Sequence, residues 1–154
     1  MKTARHATSI ARSILGLMFV VFGANFFLHF LPQPPLEGPA GDFAAALFKS
    51  GYVMQTVKVV EVAAGLLLLT NRFVPLALTL LAPIVVGIVG FHGSLAPATG
   101  GAAYLALVLE LFLAYAYRSA YAPLFESRRA PTLGTAGSAR SDRAPAGELR
   151  HSTT

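Results

Sequence analysis

Four long apolar runs alternate along the chain with short breaks rich in polar residues, proline and glycine. They are SILGLMFVVFGANFFLHFL (Ser13 to Leu31), YVMQTVKVVEVAAGLLLLTNR (Tyr52 to Arg72), FVPLALTLLAPIVVGIVGFHGSL (Phe73 to Leu95) and AAYLALVLELFLAYAY (Ala102 to Tyr117). Each is near the roughly 20 residues that a helix rising about 1.5 Å per residue needs to cross a hydrocarbon core of about 30 Å. The pattern predicts an all-α fold, an integral membrane four-helix bundle. Between the first two runs, PQPPLEGPAG reads as stiff extended loop. Asp42 then stands where it can cap a short helix, FAAALFKS, whose end is marked by Gly51. Its Phe43, Leu47 and Phe48 share a face, which predicts an interfacial helix lying on the outer membrane surface over the bundle mouth.

The two ends of the chain differ from this pattern. MKTARHATSIAR is a basic segment before the first run, like the start of a secretory signal, but the run continues past a poor cleavage site at Val21-Phe22-Gly23. An uncleaved first span is expected. From Ser127 onward the chain is rich in Ala, Gly, Pro, Ser, Thr and Arg with almost nothing to bury, which predicts a disordered tail. The expected organisation is a cytoplasmic N-terminus over 1–12, a transmembrane domain over 13–126 and a disordered cytoplasmic tail over 127–154.

Composition changes the picture in three ways. With 154 residues, 55% hydrophobic and 12% charged, and a mean hydropathy of +0.61, the chain has about half the charge of an ordinary soluble domain. The bilayer is its first partner. Zero cysteines exclude disulfides, thiolate metal sites and dithiol relays, so any redox chemistry must come from a bound cofactor or a partner protein. No metal site offers itself by spacing either. Ten of the twelve Lys and Arg fall before the first run, between the second and third, or after the fourth. The positive-inside rule therefore places both termini in the cytoplasm, as in a bacterial cytoplasmic membrane protein. Tyr52 and Tyr104 then mark the outer interface, Tyr117 and Tyr121 the inner one. The arginines of the tail are scattered without aromatic residues to stack a base, which argues against nucleic acid as a partner.

Candidate chemistry sits inside the spans. A charge at the centre of a membrane helix costs about 2.5–3.5 kcal/mol on insertion scales, so such residues are rare and mark function by default. Counted from the outer ends of four unbroken helices, His29 and His92 are near the surface, Asn25 and Lys58 about 9 Å down, and Glu61 and Glu110 about 13 Å down. Within each helix the spacings agree. Asn25 and His29 are four apart; Lys58, Glu61 and Gly65 follow at three and four; Ala103, Ala106, Glu110, Ala114 and Tyr117 form one stripe. These six polar residues are the candidates for a ligand-binding pocket in the outer leaflet. Each has a plainer reading. Lys58 can snorkel to the headgroups with Glu61 as its counter-ion, the histidines can be interfacial, and Asn25 can bond between helices. Pro83, with Gly87 and Gly90, can kink the third span or let a neighbour approach closely. Glu110 resists such a reading, since one lysine cannot neutralise two carboxylates.

The order GYVMQTVKVVEVAAGLLLLTNRFVPLALTLLAPIVVGIVGFH, followed by LALVLELFLAYAYR and preceded by FGANFFLHFLPQPP, resembles the DoxX-like family of small four-helix membrane proteins. The resemblance covers about Ser9 to Phe125 and rests on Lys58, Glu61, Gly65, Arg72, Pro75, Pro83 and His92 in order. Gly87 departs from it, standing where relatives often carry Asn. The resemblance implies a membrane subunit that works with a soluble or membrane redox partner, with a quinone as the candidate cofactor. On that reading Lys58 or His92 donates to a carbonyl and Glu61 or Glu110 handles protons. Whether the chain is itself catalytic stays open. A non-catalytic scaffold or assembly factor, in which the ions lock helix register, is the alternative. A small transporter or proton path is a weaker third reading, for want of broken helices or repeats.

Overall fold

The structure, a computed structural model, describes residues 2–33 and 35–125; the expected tail lies outside these. Six α-helices follow in order: α1 (Lys2–Leu28), α2 (Gly38–Lys49), α3 (Val53–Leu69), α4 (Val74–Ser94), α5 (Gly101–Ala116) and the single turn α6 (Arg118–Tyr121). Short 3-10 turns occupy Pro97–Thr99 and Ala122–Phe125, and no strand occurs among the described residues. Contacts divide the chain at Tyr121: residues up to it form one compact unit, and the second contributes only Ala122–Phe125 to the described residues.

In the first unit, α1 packs on α3, α3 on α4, α4 on α5, and α5 back on α1, which closes a ring of four helices. Two of them, Arg5–Leu28 and Val74–Ser94, are by themselves long and apolar enough to cross a membrane. The count reaches four when α3 is taken with α2, and α5 with the turn that follows it. Exposed large apolar side chains stud the outside of the ring, among them Leu66, Val86, Val108 and Leu111. Such a surface is at home in lipid rather than water. The apolar core includes Leu15, Phe19, Leu68, Leu78, Leu81 and Leu113, and it sits in the half of the bundle nearer the α3–α4 turn.

The helix ends follow from local chemistry. The first run was expected from Ser13, but α1 begins at Lys2, because KTARHATSIARS holds no Gly or Pro to stop a helix propagating backwards out of the apolar run. It was expected to reach Leu31 and ends at Leu28, where His29 turns to φ 52. Asp42 does not cap α2. That helix starts four residues earlier at Gly38, with Pro39 in its first turn, where proline is pre-set for helix and its missing N–H costs nothing. It does stop as expected, with Gly51 at φ 75. Between α3 and α4 the turn is a Schellman motif: Asn71, at φ 56, donates to Leu68 O and Arg72 donates to Leu67 O.

Helix α2 meets α3 at 88°. If α3 crosses the membrane, α2 lies along its surface, as the amphipathic pattern predicted. Phe48 stacks on Phe26 of α1 at 5.7 Å and Phe43 lies 5.8 Å from Phe91 of α4, so α2 bridges two helices of the ring at the end opposite the α3–α4 turn.

Candidate functional site

Lys58 and Glu61 stand one turn apart on α3, and the structure joins them. The Lys58 Nζ donates to both carboxylate oxygens, at 2.9 and 2.8 Å, and Glu61 is 1% exposed. The face that carries them is pressed against α1. A Cβ added at Gly23 would lie 2.8 Å from Val62 Cγ2 and 3.3 Å from both Glu61 Cβ and Lys58 O. One turn and a half further on, Gly16 and Gly65 bring the two backbones together: a Cβ on Gly65 would sit 2.8 Å from Gly16 O. The close approach of α1 covers the base of Glu61, and with its carboxylate buried the bond to the Lys58 ammonium offsets the loss of water.

Asn25 is 4% exposed but bonds within its own segment. Its Oδ1 accepts from Leu31 N at 2.6 Å and its Nδ2 donates to Leu31 O at 3.3 Å. This fastens the chain leaving α1 and uses both halves of the amide. His29, just past the helix end, is exposed. His92 is half-buried, with Nδ1 at 3.3 Å from Ala96 O and 3.2 Å from Thr99 Oγ1, and its ring edge-on to Phe91. It ties the end of α4 to the following 3-10 turn.

Glu110 differs from all of these. It lies on the buried stripe of α5 with Ala103, Ala106 and Leu113, on a helix packed against α1 and α4. It is 6% exposed, and neither carboxylate oxygen has a hydrogen-bond partner among the described residues. A polar neighbourhood does lie toward the α3–α4 turn. The Tyr121 hydroxyl donates to Pro75 O at 3.0 Å and the Thr79 hydroxyl to the same oxygen at 2.9 Å.

The structure thus brings together Lys58 and Glu61, gives Asn25 and His92 local partners, leaves His29 outside the helix, and leaves Glu110 buried and alone. An apolar cleft of about 450 Å³ opens beside the ion pair, lined by Ala24, Phe27, Leu28, Val59, Val62, Ala63 and Leu66, and none of the six candidates lines it. Pro83, Gly87 and Gly90 are exposed, and the two glycines face open space rather than a close-packed helix. No group of three His, Cys, Asp or Glu side chains that could hold a metal forms among the described residues. Two features escaped the sequence reading. Gly16 and Gly23, seven apart and so on one face, were a readable sign of helix contact. The other, the half-buried Arg12 with its buried Nε and Nη1, carried no pattern that would have set it apart.

Comparison with curated proteins and with solved structures gives no match. A family model described as DoxX matches residues 7–95. That range spans α2, α3, α4 and nearly all of α1, with the Lys58–Glu61 pair and His92, and stops short of α5 and Glu110. Covering more than half of the chain, and joined to an all-helical bundle with membrane-crossing helices, the match identifies an integral membrane protein that belongs to the DoxX family.

Proposed function

We propose that the chain is a membrane subunit serving a redox partner, and that it holds a small molecule, a quinone head group, at Glu110. The observation that carries this reading is the pair of carboxylate oxygens of Glu110, buried and without a partner. A protein that places a carboxyl group in its interior at a cost of several kcal/mol keeps it for something. The donor set narrows the family's candidates. Lys58 is spent on Glu61 and His92 on its turn, so Glu110 is the group with hydrogen bonds to give. Protonated, it donates to a carbonyl; ionised, it takes the proton of a hydroxyl. A quinone supplies two-electron, two-proton chemistry, for which the zero cysteines of this chain offer no substitute.

The second reading, a scaffold without a ligand, is favoured by the satisfied Lys58–Glu61 pair, which by itself only fixes the α1–α3 contact. One preparation separates the two. The full chain is purified in mild detergent, and quinone is assayed by the difference spectrum of oxidised and reduced solvent extracts. Bound quinone in the wild type, lost in Glu110→Gln at unchanged melting temperature, is the expected result. A wild-type chain free of quinone, or a variant that retains it fully, sinks the ligand reading and leaves the scaffold.

A further inference from the structure

At the end of the bundle where α1 begins and α5 ends lies a second cleft, of about 660 Å³. One wall comes from the first three turns of α1, with Arg5, Thr8 and Arg12; the other comes from α5, with Phe112, Tyr115 and Ala116; Asn71 of the α3–α4 turn closes one side. Two features make it more than a fold in the surface. Arg12 is half-buried, and its Nε and Nη1 are buried with no hydrogen-bond partner among the described residues, so part of the guanidinium has been desolvated without a carboxylate to receive it. The cleft is also of one sign. Among the described residues no acidic side chain lines it, Arg5 stands two turns from Arg12 on the same wall, and Arg118 rests over the ring of Tyr115 at 4.5 Å, adding a third cation at the rim.

A half-buried guanidinium with two buried, unpartnered nitrogens asks for a planar or tetrahedral oxyanion, which it binds through paired N–H groups. The lining says which oxyanion. The cationic wall gives way to Phe112 and Tyr115, which are 42% and 67% exposed on the outer, lipid-facing side of α5. A free anion would use the arginines and ignore that apolar flank; an amphiphile uses both. We propose that this cleft binds the phosphate of an anionic glycerophospholipid, with Arg12 on the phosphate oxygens, Arg5 beside it, and the acyl chains leaving over Phe112 and Ala116. The proposal is independent of Glu110 and of the orientation of the chain in the membrane.

The test is thermal stability and native mass spectrometry of the full chain in an uncharged detergent, titrated with phosphatidylglycerol, phosphatidylcholine or inorganic phosphate. Phosphatidylglycerol should raise the melting temperature and remain bound in the spectrum, whereas phosphatidylcholine should do neither. Arg12→Gln should weaken phosphatidylglycerol binding about tenfold or more, the scale of a lost charge-assisted hydrogen bond, and Arg12→Lys by less. Arg5 is exposed, so Arg5→Gln leaves the lipid-free melting temperature unchanged and should still weaken binding several-fold. Equal response to the two lipids, undiminished binding by Arg5→Gln or Arg12→Gln, or the same stabilisation by inorganic phosphate alone overturns the lipid assignment.

Discussion

Lys58 shows what a single residue can and cannot say. Its sequence position, inside an apolar run and three residues before an acid, gave two readings, a donor in a binding pocket or a snorkelling cation with Glu61 as its counter-ion. The structure has it paired, with its side chain 17% exposed and that of Glu61 2%. The consequence is a specific pattern of energies. Replacing Lys58 by Leu strands a buried carboxylate and should lower stability by about 3 kcal/mol, and Glu61→Gln by less, since the ammonium can turn outward. Both changes together should cost less than Lys58→Leu alone, a coupling measurable as a double-mutant cycle of melting temperatures in detergent. Additive losses would mean that the two side chains do not meet. Pairs of this kind are legible because helix geometry fixes them. Asn25 was not, because its partner Leu31 lies six residues on, past a helix end that hydropathy alone does not reveal.

The helix as an element was legible at its centre and not at its ends. The buried stripe of α5, Ala103, Ala106 and Glu110, follows from periodicity. The early starts of α1 and α2 do not, since they depend on whether a helix, once nucleated, meets a residue that stops it. How helices touch is decided by glycines, and here the structure separates glycines that look alike in sequence. Gly65 has Gly16 O and Val20 Cγ2 each 2.8 Å from where a Cβ would stand, whereas Gly87 has open space. Gly65→Ala should therefore force α1 and α3 apart and cost about 1–3 kcal/mol. Gly87→Ala should be neutral or stabilising by up to about 1 kcal/mol, from its better helix propensity. The readout for both is the melting temperature of the purified chain, and a tolerated Gly65→Ala would disprove the backbone contact between α1 and α3.

At the scale of the whole molecule the membrane bundle was legible, because apolar run length is set by the bilayer itself. The local partners that Asn25 and His92 take were not, because depth along a helix says nothing of which way a side chain faces around it. Orientation rests on the asymmetry of Lys and Arg, and the absence of native cysteine makes it simple to test. Single cysteines at Glu37 or Ser94 should react with a membrane-impermeant thiol reagent in intact cells, and ones at Thr70 or Ser119 should not. The opposite labelling would invert the molecule. One further property follows from the uneven helices. With 17 and 16 residues, α3 and α5 are roughly 26 and 24 Å long, shorter than a hydrocarbon core of about 30 Å, while α4 matches it and α1 overshoots. Where α3 and α5 cross the bilayer without their bent neighbours, the expected outcome is hydrophobic mismatch on two of the four sides, with the bilayer pinched there and relaxed beside α4, and a melting temperature that is higher in thin-bilayer lipids than in thick ones.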